Sequence, residues 1–140
     1  MPEDYPDGSL AYYPGHLNTN VYGLDEFWKL FTNRQLTALT TFSDLVYDAQ
    51  EQAERDAIAA GLPDDGIGLA DQGTGAKAYG EAVGVYLAFV VDKMADRASS
   101  ICSWDASRES MRNVFGRQAI PMTWDYAEAN AFSDSTGSMD

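Results

Sequence analysis

The chain contains two long stretches in which apolar residues repeat with helical spacing, separated by segments rich in glycine, proline and asparagine. The first repeat begins after Thr32, and Gly61 and Pro63 end it. Thr32 and Gln35 have the spacing of a capping box, in which the threonine hydroxyl accepts a hydrogen bond from the glutamine backbone N–H. We therefore predict an amphipathic helix of roughly seven turns, with an apolar face formed by Leu36, Leu39, Phe42, Val46, Ala49 and Ala53.

A second long helix is predicted over residues 75–100. Its middle, residues 82–91, is apolar on all sides, which is typical of a helix buried on most of its surface. A buried strand is the alternative for this run, but the helix-favouring residues on both sides favour a helix. One partner helix does not cover so much apolar surface. We therefore expect further cover from the N-terminal arm, from a second copy of the chain, or from the rest of a longer protein.

Shorter helices are predicted in three other places: over residues 25–31, over residues 106–115 with Asp105 as the N-cap, and over residues 124–129 after Pro121. Residues 62–75 carry many turn signals and are predicted to form a loop. The expected fold class is all-α, with two long helices as an antiparallel pair covered by several short helices.

Three regions follow from these patterns. Residues 1–23 mix proline and glycine with four tyrosines, which predicts an extended aromatic arm that packs along a protein surface. Residues 24–132 form the helical domain. Residues 133–140 are small and polar, and we expect them to be a frayed tail.

The charge of the chain restricts its functions. Acidic residues outnumber basic ones by 22 to 9, giving a formal net charge of −13, so an autonomous cationic DNA-binding module is excluded. The apolar run over residues 82–91 is about half the roughly 20 residues that a membrane-spanning helix needs, so no membrane contact is expected. The N-terminus lacks the pattern of a secretory signal, which predicts a cytoplasmic location.

Few residues are available for catalysis or metal binding. Cys102 is the only cysteine and His16 the only histidine, which excludes an intrachain disulfide and a zinc site of cysteine and histidine ligands. A Cys-His dyad remains as the less favoured alternative to a buried core thiol. Glu54 belongs to a series of charged residues predicted to lie on the solvated face of the first helix, together with Asp44, Asp48, Glu51 and Arg55.

Basic residues are concentrated late in the chain. Residues 93–117 contain five basic and three acidic residues, although the chain as a whole is acidic. Arg108 and Arg112 are one turn apart if this segment is helical, and guanidinium groups bind phosphates and carboxylates. Three interpretations remain open. The arginines pair internally with Glu109, Asp125 or Glu128, they contact nucleic acid or a substrate, or they contact a domain absent from this chain. The candidate contact residues are Arg108, Arg112, Asn113, Arg117 and Gln118.

Three stretches of the sequence resemble one family, the large bacterial and archaeal adenine-specific DNA methylases that contain a zinc ribbon. The similarity covers residues 22–137 and is carried by residues 34–46, by Tyr86-Leu87-Ala88-Phe89 with Asp96-Arg97, and by residues 107–130. The chain departs from the family at Asp105-Ala106, where His-Pro is frequent, and at Asn130-Ala131-Phe132, where Asn-Pro-Phe is frequent.

The resemblance implies that the chain is a helical insertion between the cofactor-binding and adenine-binding halves of such an enzyme. The family's glycine-rich S-adenosylmethionine loop, zinc ribbon and Asp-Pro-Pro-Tyr motif do not occur here. The resemblance therefore implies no catalytic, cofactor-binding or metal-binding residue in this chain. It implies that S-adenosylmethionine and zinc bind to the rest of the protein. The implied partners are the other methylase domains and, through them, DNA, in restriction-modification or phage defence. The alternative is a structural or dimerising helical module without nucleic-acid contact.

Overall fold

The computed structural model describes Pro2 and residues 4–134 of the chain. The end of the predicted tail, residues 135–140, lies outside the described residues. Two long helices, α1 (Asn33–Ala59) and α2 (Ala76–Ala95), form most of the regular structure, and the predicted pairing of two long helices is confirmed. The elements are the 3-10 helices Asn18–Tyr22 and Phe27–Leu30, α1 (Asn33–Ala59), the 3-10 helix Leu69–Asp71, α2 (Ala76–Ala95), β1 (Trp104–Asp105) and β2 (Ser110–Met111).

The start of α1 is fixed by the predicted capping box. The Gln35 backbone N–H donates to the Thr32 hydroxyl at 3.2 Å, and the Thr32 backbone N–H donates to the Gln35 side-chain oxygen at 2.9 Å. These two bonds satisfy donors that the first turn of a helix cannot satisfy itself. At the other end, Gly61 adopts a φ of +95°, a left-handed conformation that suits glycine.

The two long helices approach closely where α2 has no side chain. A methyl group added at Gly80 would lie 2.8 Å from the Gln50 backbone oxygen and 3.0 Å from the Glu54 Cβ. A methyl group added at Gly84 would lie 2.6 Å from the Gln50 side-chain oxygen. The earlier glycine, Gly80, thus meets both Gln50 and Glu54, whereas the later one, Gly84, meets Gln50. The contact moves back along α1 as α2 advances, so the helices are antiparallel. Glu54 lies at this contact and is half-buried, so its predicted place on the solvated face is wrong.

The chain divides into two compact units. The core unit consists of Met1–Thr40 and Asp92–Asp140, and the helix-pair unit consists of Thr41–Val91. In the helix-pair unit, the predicted apolar residues of α1 from Phe42 to Ala53 are half-buried, as the helical repeat requires. The core unit contains the main cluster of buried apolar residues, formed by Leu10, Leu30, Ile101, Cys102, Met111 and Val114.

The backbone carbonyl of Leu30 is one of the links between the two segments of the core unit. The carbonyl oxygen of Leu30 accepts hydrogen bonds from the Ser99 hydroxyl at 2.8 Å, from the Ser100 hydroxyl at 2.9 Å and from the Ser100 backbone N–H at 2.8 Å. Leu30 and Ser99 are almost completely buried. These bonds replace helical ones, so α2 ends at Ala95 rather than near residue 100 as predicted.

The N-terminal arm packs within the core unit. The Leu10 backbone N–H donates to the Asp25 carbonyl at 2.8 Å, and the Phe27 N–H donates to the Gly8 carbonyl at 3.1 Å. Further along, the Ile120 N–H donates to the His16 carbonyl at 2.8 Å. The arm therefore contributes backbone hydrogen bonds and the buried side chain of Leu10 to this unit.

The helix predicted over residues 106–115 is wrong, because residues 106–109 form a turn that leads into β2, the second strand of an antiparallel pair. β1 pairs with β2 in the register Trp104 to Met111 and Asp105 to Ser110. The Asp105 carboxylate does accept from the Ser107 N–H, at 3.0 Å, but the chain then reverses direction. Glu109 adopts a φ of +50°, a left-handed conformation that ends a helix and suits a turn.

The short helix predicted over residues 124–129 is also wrong, because its backbone donors bond elsewhere. The Ala127 N–H donates to the Cys102 carbonyl at 2.8 Å instead of to a carbonyl four residues earlier. Nearby, Arg34 and Glu128 form an ion pair at 2.7 Å. The segment packs on the core of the core unit, with Ala127 and Ala129 against the buried cluster.

The expectation that α2 is buried on most sides is wrong for this chain. Tyr86 is 74% exposed, and Tyr79, Val85 and Phe89 are also exposed. These residues lie on the side of α2 opposite the glycines that contact α1. None of the helices in the described part of the chain has the length and apolar character that crossing a membrane requires.

The glycine contact predicts opposite outcomes for two similar substitutions. Gly80→Ala places its methyl group against backbone, which cannot move aside, so it should lower the free energy of unfolding by about 1–3 kcal/mol. The methyl group of Gly84→Ala meets only the flexible Gln50 side chain, which can move aside. The higher helix propensity of alanine should then dominate and raise the free energy of unfolding by between zero and about 1 kcal/mol. Urea unfolding followed by circular dichroism measures both. Equal destabilisation by the two variants would contradict the described helix contact.

Candidate anion-binding cleft

The core unit has an open cleft of about 610 Å³ in which hydroxyl groups and arginines predominate. It is formed by the strand pair, its turn and the two segments that follow. The lining residues are Ile101, Ser103, Asp105, Ser107, Arg108, Ser110, Met111, Arg112, Asn113, Val114, Gly116, Arg117, Pro121 and Thr123. Three guanidinium groups and several hydroxyls offer many hydrogen-bond donors, which is the composition of a site for an anion.

Asp105 organises the turn at one side of the cleft. Its carboxylate accepts hydrogen bonds from the Ser107 hydroxyl at 2.6 Å and from the Ser107 backbone N–H at 3.0 Å. The hydroxyl bond holds the pKa of Asp105 below its ordinary value, and the positive charges of Arg112 and Arg108 act in the same direction. The carboxylate is therefore ionised at neutral pH and fixes the turn that carries Arg108.

The three arginines of the cleft differ in their ion pairs. Arg112 lies 3.4 Å from the Asp105 carboxylate, and its side chain is about half exposed. Arg108 and Arg117 are exposed, and neither forms a salt bridge with any residue that the structure describes. One carboxylate thus faces three guanidinium groups, which leaves the cleft with a net positive charge in a chain of net charge −13.

Four of the five contact residues predicted from the sequence line this cleft: Arg108, Arg112, Asn113 and Arg117. Gln118 is exposed and is not one of the lining residues. The arginines come together through the strand pair and the following segment, and not through one helical face as predicted. The predicted internal pairing with Glu109, Asp125 or Glu128 is replaced by the pairing of Arg112 with Asp105, while Glu128 pairs with Arg34.

Sequence reasoning missed the polar residues around the arginines. Ser103, Ser107, Ser110 and Thr123 line the cleft, and Asp105 was assigned only to a helix cap. A signal was present in the sequence, because residues 103–110 place three serines and an aspartate around Arg108. Such a polar run fits a turn better than a packed helix.

Cys102 lies in the core beneath the cleft segment. Its side chain is completely buried, and its thiol donates to the Arg112 carbonyl at 3.1 Å. Burial raises the pKa of Cys102 to about 11, and the negative charge of Asp96 adds to this effect. His16 is exposed, and its ring lies 4.9 Å from the ring of Tyr13. Cys102 is therefore a core thiol, as the favoured interpretation predicts.

Potential metal ligands are not clustered in the part of the chain that the structure describes. Within residues 4–134 no group of three or more histidine, cysteine, aspartate or glutamate side chains is placed to hold a metal. Cys102, the one cysteine of the sequence, is enclosed by apolar neighbours in the core.

The environment of Cys102 predicts very low thiol reactivity. The thiolate is the reactive form, and a pKa of about 11 makes it scarce at pH values near 8. A disulfide reagent such as DTNB should react with the native chain at least about 100-fold more slowly than with the urea-unfolded chain. Native and unfolded rates within about tenfold of each other would contradict the described burial.

Comparisons with known proteins found no match for the chain. No protein-family model matches it, no curated protein matches it, and no solved structure matches it.

Proposed function

We propose that this chain is a non-catalytic segment of an S-adenosylmethionine-dependent adenine-N6 DNA methyltransferase, and that its cleft contacts DNA. The proposed contact residues are Arg108, Arg112, Asn113, Arg117 and, at the edge, Gln118. S-adenosylmethionine and zinc would bind to other parts of the longer enzyme, because the glycine-rich loop and the zinc ribbon of the methylases that the sequence resembles do not occur in it. A cytoplasmic location and a role in restriction-modification or phage defence belong to the same proposal.

The observation that carries the proposal is the grouping of the arginines. Three of the nine basic residues line one cleft, together with hydroxyl and amide donors. Two of these arginines are exposed and lack an internal ion pair among the described residues, so they do not serve only to hold the core unit together. The similarity of residues 107–130 to the adenine-specific DNA methylases supports DNA as the anion.

The charge of the whole chain limits the strength of this contact. Three arginines can neutralise about three phosphates, which corresponds to a slope of about −3 in a plot of log K against log salt. The remaining surface repels DNA, since the chain carries 22 acidic residues. We expect binding by the chain alone to be weak, with a Kd of about 10⁻⁴ M or higher at physiological salt.

Charge-matched arginine variants test the proposal. Arg108→Gln removes a cleft cation, so it should weaken binding of a labelled DNA and reduce the magnitude of the salt slope by about 1. Arg55→Gln removes the same charge from α1, where Arg55 pairs with Glu51, and should leave the slope unchanged. Fluorescence anisotropy over a range of salt concentrations gives both quantities. Equal effects of the two variants would show that net charge, and not the cleft, controls binding.

Removing the carboxylate of the cleft is the converse control. Asp105→Asn keeps an oxygen that can accept from the Ser107 N–H and removes one negative charge beside Arg112. It should strengthen DNA binding, because the cleft becomes more positive while the turn is retained. Weaker binding by a folded Asp105→Asn variant would contradict an electrostatic contact in the cleft.

A structural or dimerising module is the second candidate function. The observation that favours it is the exposed apolar side of α2, where Tyr86 and Phe89 have no cover among the described residues. Absence of salt-dependent DNA binding, with a folded chain that sediments as a dimer, would favour this candidate over DNA contact.

A further inference from the structure

We propose that two copies of this chain associate through one side of the helix-pair unit and form a four-helix bundle, in which α1 of each copy packs on α2 of the other. The residues that carry this inference belong to Thr41–Val91, and none of them is among the residues that line the cleft. The inference goes beyond the proposed DNA contact and does not depend on it. It also gives a specific interface to the dimer named as the second candidate function.

The glycine contact between the two helices defines the sides of the helix-pair unit. Gly80 and Gly84 of α2 face α1, where they meet Gln50 and Glu54. Successive residues of an α-helix are rotated by about 100°, so the residue before each contact position lies on one side of the pair and the residue after it lies on the other. Both helices are right-handed and run in opposite directions. The residues that precede the contact positions therefore lie on the same side in α1 and in α2.

One side of the pair, which we call the apolar face, consists of large residues from α2 and mostly small residues from α1. Tyr79 and Val83 directly precede the two glycines, and Ala49 and Ala53 directly precede Gln50 and Glu54. The other members follow at steps of three or four residues along each helix. Its members are Leu45, Ala49, Ala53, Tyr79, Val83, Tyr86 and Val90, of which Leu45, Tyr79 and Tyr86 are exposed and the others are half-buried.

The charges of α1 are concentrated away from the apolar face. Glu51 directly follows Gln50, and Asp44 lies two turns before Glu51, so both carboxylates are on the other side of the pair. Asp56 lies at the edge of the apolar face, where it accepts a hydrogen bond from the Gln52 side chain at 2.7 Å. Two copies of a chain with a net charge of −13 repel each other, and this face lets them approach without opposing carboxylates at its centre.

The other side of α2 is already covered by the chain itself. Glu81 directly follows Gly80, and its carboxylate accepts a hydrogen bond from the Leu69 backbone N–H. Lys77, one turn earlier, donates to the Gly66 carbonyl at 3.2 Å. The segment after α1 therefore lies along this side and leaves the apolar face open to a partner.

The apolar face is complementary in shape to a second copy of itself. A two-fold axis parallel to the helices places α1 of one copy over α2 of the other at the same level. Because Gly84 meets Gln50, Tyr86 is level with the stretch between Leu45 and Ala49, and Tyr79 is level with Ala53. Each tyrosine of one copy then packs over an alanine of the other, as large residues pack into gaps in helix bundles.

The size of the apolar face agrees with a dimer of moderate affinity. The 20 residues of α2 span about 30 Å, and two helices side by side are about 20 Å wide. Two copies would therefore bury about 1,200 Å² in total, at the lower end of the range for stable interfaces. We expect a dissociation constant of about 1–10 μM.

Sedimentation velocity of the full chain, from about 0.5 to about 100 μM, tests the association. The unaltered chain should change from monomer to dimer within this range. Tyr86→Asp places a carboxylate in the centre of the interface and should weaken the dimer at least about thirtyfold. Tyr86 is 74% exposed in the single copy, so the variant should retain its fold, which circular dichroism checks.

Tyr47→Asp is the matched control. Tyr47 is 69% exposed and belongs to the same helix-pair unit, but it lies one turn before Glu51, on the side opposite the apolar face. The substitution makes the same change of side chain and charge, and it should leave dimerisation unchanged. Equal losses in the two variants would show that net charge controls association, and would overturn the proposed interface.

Cysteine cross-linking tests the arrangement of the helices. The native thiol of Cys102 is buried, so introduced cysteines should react first. An Ala49→Cys chain mixed with a Tyr86→Cys chain under mild oxidation should form a disulfide-linked heterodimer, because these positions face each other across the interface. Disulfides that form only between two Tyr86→Cys chains would overturn the packing of α1 on α2.

A chain that stays monomeric up to about 100 μM would overturn the inference and indicate that a different protein or domain covers the apolar face. A dimer that Tyr86→Asp leaves intact would also overturn it. Neither result bears on the DNA contact, which the Arg108→Gln and Arg55→Gln pair tests separately.

Discussion

The core unit depends on the backbone carbonyl of Leu30. This oxygen accepts three hydrogen bonds from Ser99 and Ser100, about seventy positions later in the chain, within a region from which water is excluded. A buried carbonyl without partners would be costly, so the bonds fix where the second segment begins its path through the core unit. Ile101 and Cys102 follow directly and enter the apolar cluster, and Ser103 then lines the cleft.

From that point the turn at Asp105 gives the cleft its shape. The carboxylate accepts two hydrogen bonds from Ser107 in the turn, and it pairs with Arg112, the residue that follows β2. The backbone donors of the next segments bond to Asp96 and Cys102, which keeps them extended beside the strands. The arginines are brought together by this path of the backbone, while their side chains remain accessible.

The long helices could be predicted from the sequence because their determinants are local. The capping box at Thr32 and Gln35, the apolar repeat of α1 and the stop at Gly61 all act within a few residues. The concentration of arginines is likewise visible in the sequence, and four of the five residues named as candidate contacts line one cleft. In contrast, the strand pair lacked its usual signal, because the left-handed turn position holds Glu109 where glycine is common. The bonds to the Leu30 carbonyl are long-range and leave no periodic pattern.

Residues 104–111 fold back as a strand pair and so create the cationic cleft. Nuclear Overhauser contacts in the full chain test this strand pair directly. The described register predicts cross-strand backbone contacts between Asp105 and Ser110 and between Trp104 and Met111. A continuous series of contacts between residues three apart over residues 106–115, without these cross-strand contacts, would indicate a helix and contradict the account.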